Sequence, residues 1–160
     1  MTVTSAWYGL AHAHSWGGVT AGETQYFIDY LSDTIKVSLH TSSYTPNQDT
    51  NEFLSACTNE VANTGYTAGG ATLGTKTLPY TTATNVLMFD AANPTWTAGA
   101  AWSSYPRTAV IYKVGATAAT SPVMGYIAFG ADVTTVASGN IFTIAFAAAG
   151  IFTITPSGPV

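Results

Sequence analysis

Alternating apolar and polar residues predict β-strands along much of the chain. In residues 34–39, Ile35, Val37 and Leu39 share one face while the residues between them are polar. Similar stretches, bounded by Gly, Pro, Asn and Ser, predict strands at 26–30, 71–78, 85–90, 107–114 and 123–130, and a β-hairpin over 141–154. Two short helices are predicted, at 6–14 and 51–56. The pattern therefore predicts an all-β protein.

The number and spacing of these strands are typical of an antiparallel β-sandwich or a jelly-roll-like barrel of about eight strands. Strands 107–114, 123–130 and 141–146 are apolar on both faces. A strand with one solvated face would alternate with polar residues. We therefore expect a second layer to cover these strands, supplied either by the same chain or by another subunit.

The chain divides into three parts by the texture of its sequence. Residues 1–25 show no strong alternation and contain Trp7, Tyr8 and Trp16, so we predict an irregular N-terminal arm. Residues 26–155 form the predicted β-sandwich domain, and residues 156–160 a terminal tail. The aromatic residues of the arm pack either on a partner or on the chain's own domain.

Charged residues are scarce, with 4 Lys and Arg and 8 Asp and Glu in 160 residues. Nucleic-acid binding depends on basic side chains that displace counterions from phosphates, so we expect no nucleic-acid partner. An apolar content of 47% is the reverse of the composition of disordered chains. The apolar stretch 141–154 is too short for a membrane-spanning helix, and the N-terminus lacks the pattern of a signal peptide. We expect synthesis in a cytoplasm and no membrane partner.

The sequence contains few residue patterns that would support catalysis or metal binding. His12, His14 and His40 form the best potential metal set, but no further ligand spacing supports it. The single Cys57 has no basic neighbour in sequence that would activate its thiol. The glycine-rich segment 65–70 lacks the Lys of a phosphate-binding loop and is interpreted as a turn. No nucleophile motif occurs, and the few acidic residues show no pairing. We therefore predict no enzymatic activity, metal or cofactor.

A set of short motifs follows in a defined order over about residues 28–155. The motifs are 33–39, 44–46, 59–61, 65–70, 89–91, Trp96, 109–113, 125–130, 142–144 and 150–154. This ordered set resembles a family of small virion structural proteins of tailed bacteriophages. The resemblance implies a component of the virion and transfers no catalytic residue.

Within that family resemblance, we expect a capsid decoration, or cement, protein on the capsid exterior. It would bind the major capsid protein and form a homo-oligomer, with a trimer as the expected state. A charge-poor surface suits neutral contacts that withstand changes in salt. The predicted anchors are Trp7, Tyr8 and Trp16.

Two alternatives use other parts of the chain or of the particle. One is a host-glycan-binding module on the virion surface, with Tyr66, Trp96, Trp102 and Tyr105 as stacking platforms. The tryptophans among these are equally compatible with buried plugs at the ends of the sandwich. The other alternative is a tail or connector component.

Overall fold

Ten strands and one α-helix form the regular structure of the residues that the computed structural model describes, 3–17 and 26–155. The strands are β1 (Thr4–Trp7), β2 (Ile35–His40), β3 (Ala71–Thr72), β4 (Tyr80–Thr81), β5 (Val86–Phe89), β6 (Thr95–Thr97), β7 (Thr108–Lys113), β8 (Val123–Ala128), β9 (Ile141–Thr143) and β10 (Phe152–Ile154). Helix α1 (Gly9–Ser15) follows β1, and 3₁₀ turns occupy Leu54–Ala56 and Ala118–Thr120. All strand pairs are antiparallel, which confirms the all-β class. The sandwich or barrel closure stays a prediction.

A five-stranded sheet with the order β1-β8-β7-β2-β3 is the centre of the fold. Its longest ladder joins β2 to β7, from Ile35 opposite Lys113 to His40 opposite Thr108. Between β7 and β8 the register shifts by one residue, because Ile111 faces Gly125 while Tyr112 faces Val123. Strand β8 therefore carries a bulge at Met124, which bends the strand locally.

Both faces of β7, in the middle of the central sheet, are buried, and the covering layers come from the chain itself. On β7, Ala109 and Ile111 enter one apolar cluster while Val110 and Tyr112 enter another. We call the first cluster the main core; its buried members are Ile28, Ile35, Val37, Leu39, Val61, Leu73, Phe89, Trp96, Ala98, Trp102, Ala109, Ile111, Met124, Phe129, Val136 and Ile144. The second core consists of Tyr8, Ala11, Tyr44, Cys57, Val110, Tyr112 and Val123. For β7 the chain itself therefore supplies both covering layers, whereas β8 is only partly buried from Gly125 onward and Ile141 of β9 is 65% exposed, so the expected cover on both faces is not present there.

The N-terminal segment is part of this fold. Residues 4–7 form an edge strand of the central sheet, and α1 covers the second core. Tyr8 is fully buried, and its N–H donates to the carbonyl of Met124 at 3.2 Å. The prediction of an irregular arm is therefore wrong for residues 4–15, because burial of Tyr8 and pairing with β8 order a segment without alternation. Residues 18–25 of the predicted arm and the tail 156–160 lie outside the described residues.

Two small sheets, β10-β5-β4 and β6-β9, replace the predicted hairpin over 141–154. Strand β9 pairs with β6, whereas β10 pairs with β5. Both strands are present, but each finds a partner distant in sequence, and the hairpin prediction is wrong. The N–H of Ile151 donates to the carbonyl of Phe89 at 2.8 Å and directs the chain toward β5.

Three local predictions also change in the structure. The predicted strand at 26–30 is irregular, because the Asp29 carboxylate accepts the N–H groups of Leu31 and Ser32 and closes a turn. The predicted strand at 71–78 is reduced to β3, and the predicted helix at 51–56 to the 3₁₀ turn Leu54–Ala56. Side-chain hydrogen bonds and distant pairing override the local pattern at these positions.

Gly70 is required where the glycine-rich segment passes β2. It has a positive φ of 72°, and a Cβ built there would lie 1.8 Å from the carbonyl oxygen of Val37. Gly139 has a similar φ of 79° but nothing within 4 Å of such a Cβ. A substitution at Gly139 therefore tests the cost of a positive φ alone, whereas a substitution at Gly70 tests a positive φ together with steric overlap.

We predict that Gly139→Ala lowers the free energy of unfolding by about 1 kcal/mol, from positive φ alone. Gly70→Ala should cost about 1–3 kcal/mol more, since the backbone of β2 must move. Urea denaturation of the two variants measures the difference. Equal losses would show that the contact of residue 70 with Val37 does not constrain the fold.

Candidate functional site

Trp7 and Trp16, two of the three predicted anchors, lie on either side of His12. The ring centroids of Trp7 and His12 are 4.2 Å apart, and those of His12 and Trp16 are 6.0 Å apart. Thr153 and Ile154 of β10 complete a shallow depression with these three side chains. We call this group of Trp7, His12, Trp16, Thr153 and Ile154 the N-terminal patch.

Helix geometry places His12 and Trp16 together. They are four residues apart across the end of α1, a spacing that puts two side chains on one helix face. The N–H of Trp16 donates to the carbonyl of His12 at 3.1 Å. Trp7 packs on Phe152 with ring centroids 4.0 Å apart, whereas 66% of Trp16 is exposed. The patch therefore combines a tryptophan that is packed on β10, Trp7, with a tryptophan that is largely exposed, Trp16.

His12 is neutral at neutral pH. Its Nε2 donates to the carbonyl of Met124 at 2.7 Å, and its buried Nδ1 has no hydrogen-bond partner within residues 3–17 and 26–155. Burial lowers the pKa of His12 to about 4, because a charged ring would lose its hydration. The other members of the patch carry no charge, so the whole surface is uncharged.

The other histidines have separate partners. His40 Nδ1 donates to the carbonyl of Thr58 at 2.8 Å, so its Nε2 accepts from Ser38 Oγ at 2.9 Å. Burial lowers the pKa of His40. His14 Nδ1 lies 2.5 Å from Glu52 Oε1. Across residues 3–17 and 26–155, no group of three or more His, Cys, Asp or Glu side chains is placed to hold a metal ion.

Tyr8, the third predicted anchor, lies in the second core and is not at the surface. Its hydroxyl is 2.6 Å from that of Tyr44, which in turn donates to Asn51 Oδ1 at 3.0 Å. Because Tyr44 has one hydroxyl hydrogen, Tyr8 is the donor to Tyr44. Burial raises the pKa of Tyr8. The assignment of Tyr8 as a partner-binding residue is therefore wrong in this structure, and its role is to fix the N-terminal layer.

Of the four aromatic residues predicted as glycan-stacking platforms, two are buried, one is partly buried and one is exposed. Trp96 and Trp102 are 5% and 3% exposed and pack with Phe142 in the main core. Tyr66 stacks on Trp96 at 6.2 Å, and Tyr105 is 36% exposed. The two tryptophans thus occupy the buried positions that the sequence left open as an alternative.

The glycine-rich segment 65–70 is a structural turn held by Glu60. Glu60 Oε1 accepts the Tyr66 hydroxyl at 2.5 Å and the Gly69 N–H at 2.6 Å. The Tyr112 hydroxyl donates to the carbonyl of Gly69 at 2.7 Å. A carboxylate in this position satisfies the loop and would oppose an incoming phosphate.

The sequence did not identify His12 or Ile154 as parts of a surface site. His12 was considered only as a metal ligand, and Ile154 only as part of a hairpin strand. No local signal connects them, because they are separated by most of the chain and meet only when β10 pairs with β5.

None of the helices in the described residues has the length and apolar character to cross a membrane. Comparisons of the chain with protein-family models, with curated proteins and with solved structures gave no match.

We predict that the free energy of unfolding falls as the pH drops from about 7 to 4. Between the unfolded pKa of His12, 6.5, and its folded pKa of about 4, the unfolded chain binds the extra proton. This difference makes His12 responsible for up to about 3 kcal/mol of the loss. His12→Gln removes the titrating ring while keeping an N–H donor, and should flatten the pH dependence.

Urea denaturation at a series of pH values measures this effect. His40 remains in the variant and contributes a residual slope of the same sign, because its pKa is also lowered. A variant with the same pH dependence as the wild type would contradict the assignment to His12.

Proposed function

We propose that this chain is a structural virion protein of a tailed bacteriophage, and specifically a capsid decoration protein that binds the major capsid protein on the capsid exterior as a homo-oligomer. The resemblance of its motifs supports the virion assignment. The main observation in favour of a role in attachment is that 66% of Trp16 is exposed, in an uncharged patch whose other residues belong to the folded domain. Finding the protein in purified particles by mass spectrometry, and on the capsid by cryo-EM, tests the proposal.

The chemistry of the N-terminal patch suits a contact with another protein. Interface cores are depleted in charged residues and enriched in aromatic ones, and tryptophan is prominent among the residues whose loss weakens binding most. Within the patch, Trp16 is exposed, whereas Trp7 packs against His12 and Phe152. A support that is already ordered loses less conformational entropy on binding than a free arm would.

Attachment through this patch differs from attachment through a flexible arm. Deleting the first 20 residues would remove β1, α1 and the buried Tyr8, and so would disrupt the second core. Single substitutions at exposed positions therefore test the contact better than truncation.

A glycan-binding module has less support than a protein contact, because stacking on a sugar requires exposed ring faces. Trp96 and Trp102 are buried among core aromatic residues. A tail or connector position would use the same contact chemistry, and the location of the protein in particles distinguishes it from the capsid exterior.

We predict that Trp16→Ala weakens binding to capsids of the phage that encodes this chain by about 30-fold. The loss corresponds to about 2 kcal/mol, the lower limit for an interface hot spot. Co-sedimentation of capsids lacking the protein with increasing amounts of purified protein measures the affinity.

Phe27→Ala is the matched control, since 72% of Phe27 is exposed outside the N-terminal patch. We expect this variant to bind within about threefold of the wild type, as a residue outside the energetic centre of an interface does. Equal binding of Trp16→Ala and wild type, with both folded, would reject the patch as the attachment surface.

We also predict that binding to capsids changes less than about threefold between about 0.05 and 0.5 M NaCl, because salt screens charges and the patch has none. The same sedimentation assay, repeated across the salt series, provides the measurement. A steep loss of affinity with salt would indicate that charged residues elsewhere on the chain make the contact.

A further inference from the structure

A cavity of about 250 Å³ lies between the central sheet and the segment 145–152. It is partly open along β1. Its apolar walls include Trp7, Phe89, Ile111, Met124, Phe146 and Phe152. Protein interiors are packed so closely that few voids exceed the size of a water molecule, so a space this large in a small domain requires an explanation.

Small residues on two strands create the space. Ser5 pairs opposite Ile127, and Trp7 opposite Gly125, so these four residues share the sheet face that borders the main core. Gly125 contributes no side chain and Ser5 only a short one. The bulge at Met124 lies beside this point of β8 and bends the strand.

The walls of the cavity are held by hydrogen bonds that do not depend on its being filled. The N–H of Phe146 donates to Asn93 Oδ1 at 2.8 Å, and that of Ile151 to the carbonyl of Phe89 at 2.8 Å. On the opposite side, β1 is paired with β8 from Thr4 to Trp7. Collapse of the walls onto each other would break these bonds, so the space persists.

We propose that this cavity is a binding site for a small, neutral aromatic molecule of about one or two rings. Among the described residues, its lining contains no Asp, Glu, Lys, Arg or His, so a charged ligand would lose its hydration without compensation. Aromatic residues of the lining, which include Trp7, Phe89, Phe146 and Phe152, favour an aromatic ring.

The volume sets the size of the ligand. An engineered apolar cavity of about 150 Å³ in another protein stays dry and binds benzene. The larger cavity here accommodates toluene and related molecules in the same way. Binding at this site is independent of the proposed virion role, since it depends only on the geometry around β1.

Toluene is the probe, and benzoate is its charged counterpart of similar shape. Toluene at millimolar concentration should raise the melting temperature of the full chain, because a ligand that binds only the folded state stabilises it. Benzoate should bind at least tenfold more weakly. Isothermal titration calorimetry measures both affinities directly.

Two substitutions on exposed strand residues locate the site. Ser5→Leu places an apolar side chain on the cavity face of β1, and we expect it to weaken toluene binding at least tenfold. Thr95→Leu places the same side chain on β6, outside the residues that line the cavity, and should bind toluene like the wild type. Both residues are exposed, so neither substitution disturbs a buried position.

NMR on the wild-type protein provides a test that does not depend on any variant. Toluene bound in the cavity should give nuclear Overhauser effects to the methyl groups of Met124 and Ile127, which line it. Absence of these effects at saturating toluene, absence of any thermal stabilisation, or equal binding by the Ser5→Leu and Thr95→Leu variants would each overturn the proposal.

Discussion

Burial of β7 on both faces is the constraint on which the rest of the structure depends. Ala109 and Ile111 face the main core, while Val110 and Tyr112 face the second core, and all four are almost completely buried. A strand in this position requires a layer on each side of its sheet. The main core is closed by the two small sheets and their loops, and the second core by the N-terminal segment with the loop that carries Tyr44 and Cys57.

The N-terminal patch follows from how the second layer is attached. Once β1 pairs with β8 and Tyr8 is buried, α1 must leave the sheet beside β10. This geometry brings β1 and β10 together and leaves Trp16 exposed on the other side of His12 from Trp7. The same edge of the sheet contains Ser5 and Gly125, whose small size produces the cavity. The patch and the cavity therefore share Trp7 as a common wall.

Charged residues are scarce in the interior, in the N-terminal patch and around the cavity alike. Several polar groups in the interior pair with neutral partners, as in the chain of hydrogen bonds from the Tyr8 hydroxyl through that of Tyr44 to Asn51 Oδ1. Where a carboxylate is partly buried, at Glu60, it is paired with the Tyr66 hydroxyl and the Gly69 N–H. The N-terminal patch and the described lining of the cavity are uncharged, so desolvating them costs little. These properties favour recognition through shape and apolar area over recognition through charge.

The sequence by itself determined the all-β class and the strands with the clearest pattern. Period-two alternation predicts β2, and short apolar runs bounded by turn-forming residues predict β5, β7 and β8; both signals are local properties of the chain. The sequence also indicated that some strands need cover on both sides, and that Trp7 and Trp16 are notable. Only the tertiary structure decided which segment supplies that cover, that β9 and β10 pair apart, and that Tyr8 lies inside while Trp16 lies outside. Pairing and burial depend on contacts between residues distant in sequence, and no local pattern specifies them.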